Sequence, residues 1–135
     1  MTDAELVAKK LALVETCIGE LRALARLDRL RSDVRERRFV EHTLQLAIQA
    51  ALDVASHVVS DERLGEPETN RALFALLESA GWIDASLSAA LQRMAGFRNV
   101  LVHGYADVDL GVVEDAVRHG LADLERFVAA VRSRW

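Results

Sequence analysis

Val40-Glu-His-Thr-Leu-Gln-Leu-Ala-Ile-Gln-Ala-Ala-Leu-Asp-Val-Ala-Ser-His-Val-Val59 decides the fold class. Val40, Leu44, Ile48, Ala51, Ala55 and Val59 recur at three- and four-residue steps, the spacing of one helix face. A strand would alternate apolar and polar residues with period two, and no stretch of the chain does so. The two alanines in the stripe let a neighbouring helix approach closely. This helix is expected from near Ser32 to about Val59.

The same period extends outward on both sides. Upstream, Leu6, Val7, Leu11, Val14, Ile18, Leu21 and Ala25 mark a first helix from an Asp3 N-cap to about Arg29. Downstream, Asp61 to Asn70 holds Gly65 and the sole proline, Pro67, and reads as a loop. Thr69 or Asn70 is placed to cap a third helix carrying Leu73, Phe74, Leu76 and Leu77, which Gly81 ends. Asp84 is placed to cap a fourth with Leu87, Leu91, Met94, Phe97 and Leu101, closed by Gly104 as a left-handed stop. Asp109 is placed to cap a fifth with Val112, Val113, Ala116, Leu121, Leu124, Phe127 and Val131. The expectation is an all-α, up-and-down bundle of about five helices forming one domain, residues 1–135.

Composition removes several function classes. The 135 residues are 51% hydrophobic and 28% charged, so disordered and low-complexity classes are excluded. One cysteine, Cys17, permits no internal disulfide and no zinc site built from several cysteines of one chain. No apolar run reaches the ~18 residues of a membrane span, and the N-terminus lacks a basic-then-apolar leader. A cytoplasmic protein with no membrane contact is expected. The net charge of −4 argues against a general polyanion binder. Seven arginines nevertheless lie between Arg22 and Arg38 against three acids. They form either a solvated junction laced with ion pairs or a local phosphate-contacting patch.

Met94-Ala-Gly-Phe-Arg-Asn-Val-Leu-Val-His-Gly-Tyr105 carries the densest chemistry. On a regular helix, Leu87, Leu91, Met94 and Leu101 share one arc with Arg98 in its middle. A cation there is either buried and paired or aimed at an interface or ligand. Asn99 and His103 are four apart and share a face beside the arc. Tyr105 follows Gly104 at the expected helix end. Arginine grips phosphoryl oxygens as a fork, and histidine exchanges protons near neutrality. From spacing alone, a structural Arg–Asn pair and a capping histidine explain the same residues.

The stretch resembles the signature of the HEPN superfamily, Arg, four to six residues, His. More narrowly it resembles the HepT branch, whose signature is Arg, four residues, His, any residue, Tyr. Arg98-Asn-Val-Leu-Val-His103-Gly-Tyr105 matches at every fixed position, and the flanks Met94–Asn99 and Ala106–Asp109 match as well. Val40 to His57 is similar to the family's second helix. Gly104 departs from the polar residue often found there.

The resemblance implies an all-α homodimer that acts as the toxin of a two-gene toxin–antitoxin pair. It implies a metal-independent endoribonuclease with RNA as substrate. The implied partner is a minimal nucleotidyltransferase antitoxin that adds AMP to Tyr105. Arg98 and His103 are then the expected catalytic residues. They stand about 140° apart around a regular helix, so two copies across a two-fold axis would gather both pairs in one cleft.

His42, Gln45, Gln49, Asp53 and Ser56 form a polar stripe on helix two. It reads as a solvated face, or, if helix two packs on helix four, as a source of supporting residues. In the second case Gln49 and Asp53, together with Asn99, line the cleft or orient His103. His57 is expected to be structural, His119 solvated and Cys17 in the core. There is no nucleophile elbow, no Gly-rich phosphate loop and no metal-ligand spacing, so neither cofactor nor metal is expected. Two further readings stand beside the nuclease: a non-catalytic RNA- or nucleotide-binding module, and a dimeric helical scaffold locked by Arg98.

Overall fold

A computed structural model describes residues 3–104 and 108–135. All regular structure among them is helical: α1 (Asp3–Leu24), α2 (Val34–Asp61), α3 (Asn70–Ser79), α4 (Ala85–His103), α5 (Leu110–Asp115) and α6 (Leu121–Arg132). A π-helical stretch, Ala116–Gly120, joins α5 to α6, and the junction residues keep right-handed helical angles. The last three pieces therefore run as one long fifth helix, and the expected bundle is present.

The caps follow from acceptor side chains placed before each helix. Asp33 accepts from the Arg35 amide, Thr69 from Ala72, Asp84 from Leu87 and Asp109 from Gly111. Thr69, not Asn70, caps α3. Gly81 takes φ +79° after α3, a left-handed turn that L side chains rarely adopt. Asp3 lies within the first turn of α1, where an acid suits the helix dipole.

Three local expectations change. Helix α1 stops at Leu24 instead of Arg29, and Leu27–Arg29 forms a 3-10 turn. The Arg26 amide donates to Glu36 Oε2 at 2.9 Å, which satisfies it outside a helix. The turn also sinks Leu30 completely into the core, which a continued helix would not. Gly104 closes α4 with φ −114°, so it is not a left-handed stop. Its amide donates to Val100 O at 2.8 Å, and a Cβ there would meet that carbonyl at 3.0 Å. The π stretch is the third change. It buries Gly120 against α4, where a Cβ would stand 3.0 Å from Met94 Cε.

The buried side chains form one cluster drawn from every helix. Helix α2 is its axis, contributing Val40, Leu44, Ile48, Ala51, Ala55 and Val59, the stripe read from sequence. Phe74 on α3 meets Phe127 on α6 edge to face, with centroids 5.7 Å apart. Exposed ion pairs run along the outside: Arg22 forks onto Glu125 and Arg132 onto Glu15. Each arginine holds its glutamate carboxyl below the ordinary range, through the hydrogen bonds first and charge second.

Candidate functional site at the end of α4

Arg98 sits on the last third of α4, partly buried. Its Nη1 donates to Asn99 Oδ1 at 3.4 Å, a long contact. Its Nε is buried and has no hydrogen-bond partner among the described residues. A buried guanidinium N–H without an acceptor is costly, so this donor is open to a partner beyond the described residues. Asn99 and His103 are both exposed, one turn apart on the outer side of the helix. Arg98 and His103 therefore differ in environment as their spacing requires: one is half sunk against the bundle, the other stands in solvent. Tyr105 lies outside the described residues.

On α2, Gln49 and Asp53 are partly buried. Gln49 Nε2 donates to Asp53 Oδ1 at 2.8 Å, and Lys10 of α1 reaches Asp53 Oδ2 at 2.9 Å. The bonds of this pair thus run along α2 and to α1; none reaches His103. Gln49 Oε1 is buried without a partner among the described residues. Among the described residues, α4 thus carries an unused buried donor, Arg98 Nε, and α2 an unused buried acceptor, Gln49 Oε1. Lys10 was not singled out from sequence. The signal was available only in three dimensions, because antiparallel α1 and α2 bring residues 43 positions apart into contact.

The arginines of the Arg22–Arg38 run differ in their partners. Arg22 is committed to Glu125, Arg31 lies 3.9 Å from Glu114, and Arg37 donates to the Leu30 and Arg31 carbonyls. Two of the seven arginines are thus tied to glutamates and a third to backbone carbonyls. Arg38 behaves differently: it lines a cleft of about 450 Å³ with Glu41, His42, Gln45 and Leu101, between the start of α2 and the end of α4. Burial pushes the Glu41 carboxyl up, against the pull of Arg37 and Arg38. A second cleft of about 260 Å³ lies between α4 and the π stretch, floored by Met94, Phe97 and Ala116.

The remaining histidines and the cysteine are placed simply. His57 is partly buried on α2, and His119 is exposed 3.8 Å from Asp115. Cys17 is in the core. Among the described residues, no group of three or more His, Cys, Asp or Glu side chains is arranged to hold a metal ion. No helix of the described residues is long and apolar enough to cross a membrane.

Comparison with known proteins gives this geometry its family. Residues 14–131 match the family described as Ribonuclease HepT-like. The mRNA nuclease HepT of Shewanella oneidensis is 29% identical over 130 residues, covering 96% of this chain and 98% of that protein. The tRNA nuclease HepT of Aphanizomenon flos-aquae is 28% identical over 137 residues, covering 98% and 93%. Among solved structures, a chain of a toxin–antitoxin complex with AMP-PNP superposes with a TM-score of 0.91 at 28% identity, over 96% of this chain and 99% of its own. A tri-AMPylated HEPN toxin of Shewanella oneidensis, in complex with an MNT antitoxin, superposes with a TM-score of 0.89 at 30% identity, over 99% and 100%. An all-helical chain with Arg98 and His103 on the last turns of α4, matched over nearly its whole length, belongs to the ribonuclease HepT-like family, and its enzyme class is that of an endoribonuclease.

Proposed function

We propose that this chain is the toxin of a toxin–antitoxin pair and cleaves RNA without a metal, with Arg98 and His103 as catalytic residues. The observation that carries the reading is Arg98: a half-buried guanidinium with an unused buried N–H, on the same helix whose last residue is an exposed histidine. RNA brings its own nucleophile, the ribose 2′-hydroxyl. His103 takes its proton, the 2′-oxygen bonds to phosphorus, and the bond from phosphorus to the 5′-oxygen breaks. A second histidine gives that oxygen a proton. The products are a 2′,3′-cyclic phosphate and a free 5′-hydroxyl. Arg98 meets the charge that builds on the phosphoryl oxygens, which acts only where charge develops.

Two histidines and a shared cleft call for two copies. A two-fold homodimer through α4 and part of α2 supplies them. Leu46 on α2 and Val100 on α4 support this face, since both remain exposed, at 39% and 43%. Light scattering should give a dimer at micromolar concentration, and Val100→Asp should shift it toward monomer.

The partner in this reading is a minimal nucleotidyltransferase antitoxin that adds AMP to Tyr105, as the tri-AMPylated Shewanella toxin beside its MNT antitoxin suggests. Asn99, Gln49 and Asp53 support the catalytic pair. The whole chain, residues 1–135, acts as one catalytic domain.

The test is expression of the wild type against His103→Ala, with cell growth and RNA integrity followed. Loss of a general acid–base lowers the rate ~10²–10⁴-fold, so the variant should be harmless. Purified wild type should cleave as well in EDTA as without it. A toxic His103→Ala sinks the nuclease mechanism, and cleavage restored only by added Mg²⁺ or Mn²⁺ sinks its metal independence.

A further inference from the structure

We propose that the cleft between the start of α2 and the end of α4 seats one nucleoside monophosphate unit of an RNA strand, next to the phosphate held at Arg98; the proposal rests on the nuclease reading above. The cleft is lined by Arg38, Glu41, His42, Gln45 and Leu101 and holds about 450 Å³, within the range of small-ligand sites. Leu101 follows Arg98 by three residues on the same helix, so the cleft borders the face of α4 that carries the half-buried guanidinium. A strand whose phosphate lies at Arg98 leaves its neighbouring nucleotide on this side of α4.

The lining has one group for each part of that nucleotide. Arg38 is exposed and offers a planar fork for phosphate oxygens. Leu101 is the apolar residue of the lining, at the back of the cleft where a base edge enters. Gln45 has both an amide donor and an acceptor, the pair that reads a base edge. Glu41 is partly buried, and burial pushes its carboxyl up despite the two nearby arginines. An acid desolvated in this way gains from a hydroxyl partner, and the ribose 2′-hydroxyl is the hydroxyl that RNA has and DNA lacks. His42 is exposed at the rim. The polar stripe of α2, whose Gln49 and Asp53 support the catalytic pair, thus acquires a second role at its His42–Gln45 end.

The experiment uses the full chain carrying His103→Ala, so that substrate survives. Binding of a short fluorescein-labelled oligoadenylate and of its deoxy counterpart is followed by anisotropy, with circular dichroism checking each variant. The parent should prefer the ribo strand. Glu41→Gln should erase that preference, and Gln45→Ala should weaken ribo binding roughly tenfold. Arg38→Ala should weaken both strands alike and lower the salt slope by about one. Folded Glu41→Gln and Gln45→Ala proteins that bind as the parent does overturn the cleft, as does a parent that binds neither strand. Cleavage of the same strand by wild type separates the two readings. Cleavage with unaltered variant binding removes the cleft alone. Cleft-dependent binding without any cleavage by wild type removes the nuclease mechanism and leaves the cleft standing.

Discussion

Gln49 donates its amide to Asp53 over 2.8 Å, one helical turn further along α2, and so points its own oxygen away from the partner it has chosen. That oxygen is buried and without a partner among the described residues. Lys10 holds the other oxygen of Asp53 from α1 at 2.9 Å, so both carboxylate oxygens of Asp53 are engaged. Asp53→Ala releases Lys10 and Gln49 together. Its kcat/KM for RNA cleavage should fall roughly tenfold, the value of one well-placed hydrogen bond, with the helical spectrum unchanged. Lys10→Met should produce a smaller fall in the same direction. Wild-type kinetics in Asp53→Ala would remove Asp53 from the supporting set.

The aromatic pair at the centre of the bundle sets the second expectation. Phe127 is wholly buried and Phe74 is 1% exposed, and they meet edge to face. Phe127→Ala removes a ring from the junction of α3 and α6 and leaves a cavity between two helices that cannot easily close. The expected loss is about 3–5 kcal/mol in urea denaturation, with the slope of the transition unchanged. Phe127→Leu should lose less than half of that.

Most of this fold was legible because its helices are amphipathic and capped by short acceptors. The Val40–Val59 stripe is the buried face of α2, and Asp84, Asp109 and Thr69 cap the helices that they precede. The errors fall where local pattern loses to packing. Helix α1 stops at Leu24, and the 3-10 turn after it leads into Leu30, which is fully buried. The π stretch at Ala116–Gly120 has no sequence period to betray it; it exists where Gly120 meets Met94. At the site, Arg98 stood out because a cation interrupts an apolar arc, and Asn99 and His103 because they share a face beside it within a motif that resembles the HepT signature. Lys10 and Glu41 did not, because a lysine in a helix with acidic neighbours and a glutamate beside arginines look like surface. Their significance comes from what faces them across α1–α2 and at the mouth of the α2–α4 cleft.

Cys17 gives a prediction about pH. It is 2% exposed, and burial first, then the nearby Glu20, push its thiol above the ordinary range. A raised pKa leaves the neutral form favoured to higher pH, so at mildly alkaline pH the native thiol holds less thiolate than a free cysteine. Thiolate is the reactive form. Iodoacetamide should therefore leave the folded protein unlabelled at neutral and mildly alkaline pH and label it fully in denaturant. Because the folded pKa is raised, the thiol favours folding less as pH climbs past the unfolded value, and labelling should first appear on the alkaline side. Rapid labelling of the native protein at neutral pH would mean that α1 opens far more readily than its packing indicates.

Tyr105 carries the regulatory prediction. It is the first residue after Gly104, whose amide closes α4 on the Val100 carbonyl at 2.8 Å. A tyrosine that follows the last turn by one residue is tethered within two positions of His103 in sequence. AMP joined to its hydroxyl adds a phosphodiester with one negative charge, a ribose and a base. That adduct has the chemistry of a nucleotide unit of RNA, so it competes for the groups that RNA needs. Its phosphate suits the unused Arg98 donor, and its charge repels the incoming strand. Inhibition of this kind blocks the site without unfolding the bundle. The circular dichroism of modified and unmodified protein should therefore coincide while cleavage is lost. Tyr105→Phe keeps Arg98 and His103 and should remain toxic, or nearly so, yet escape the antitoxin. Intact-mass spectrometry after incubation with the nucleotidyltransferase and ATP checks this directly. Wild type should gain one or more AMP units and Tyr105→Phe none; equal labelling of the two proteins would place the acceptor elsewhere in the chain.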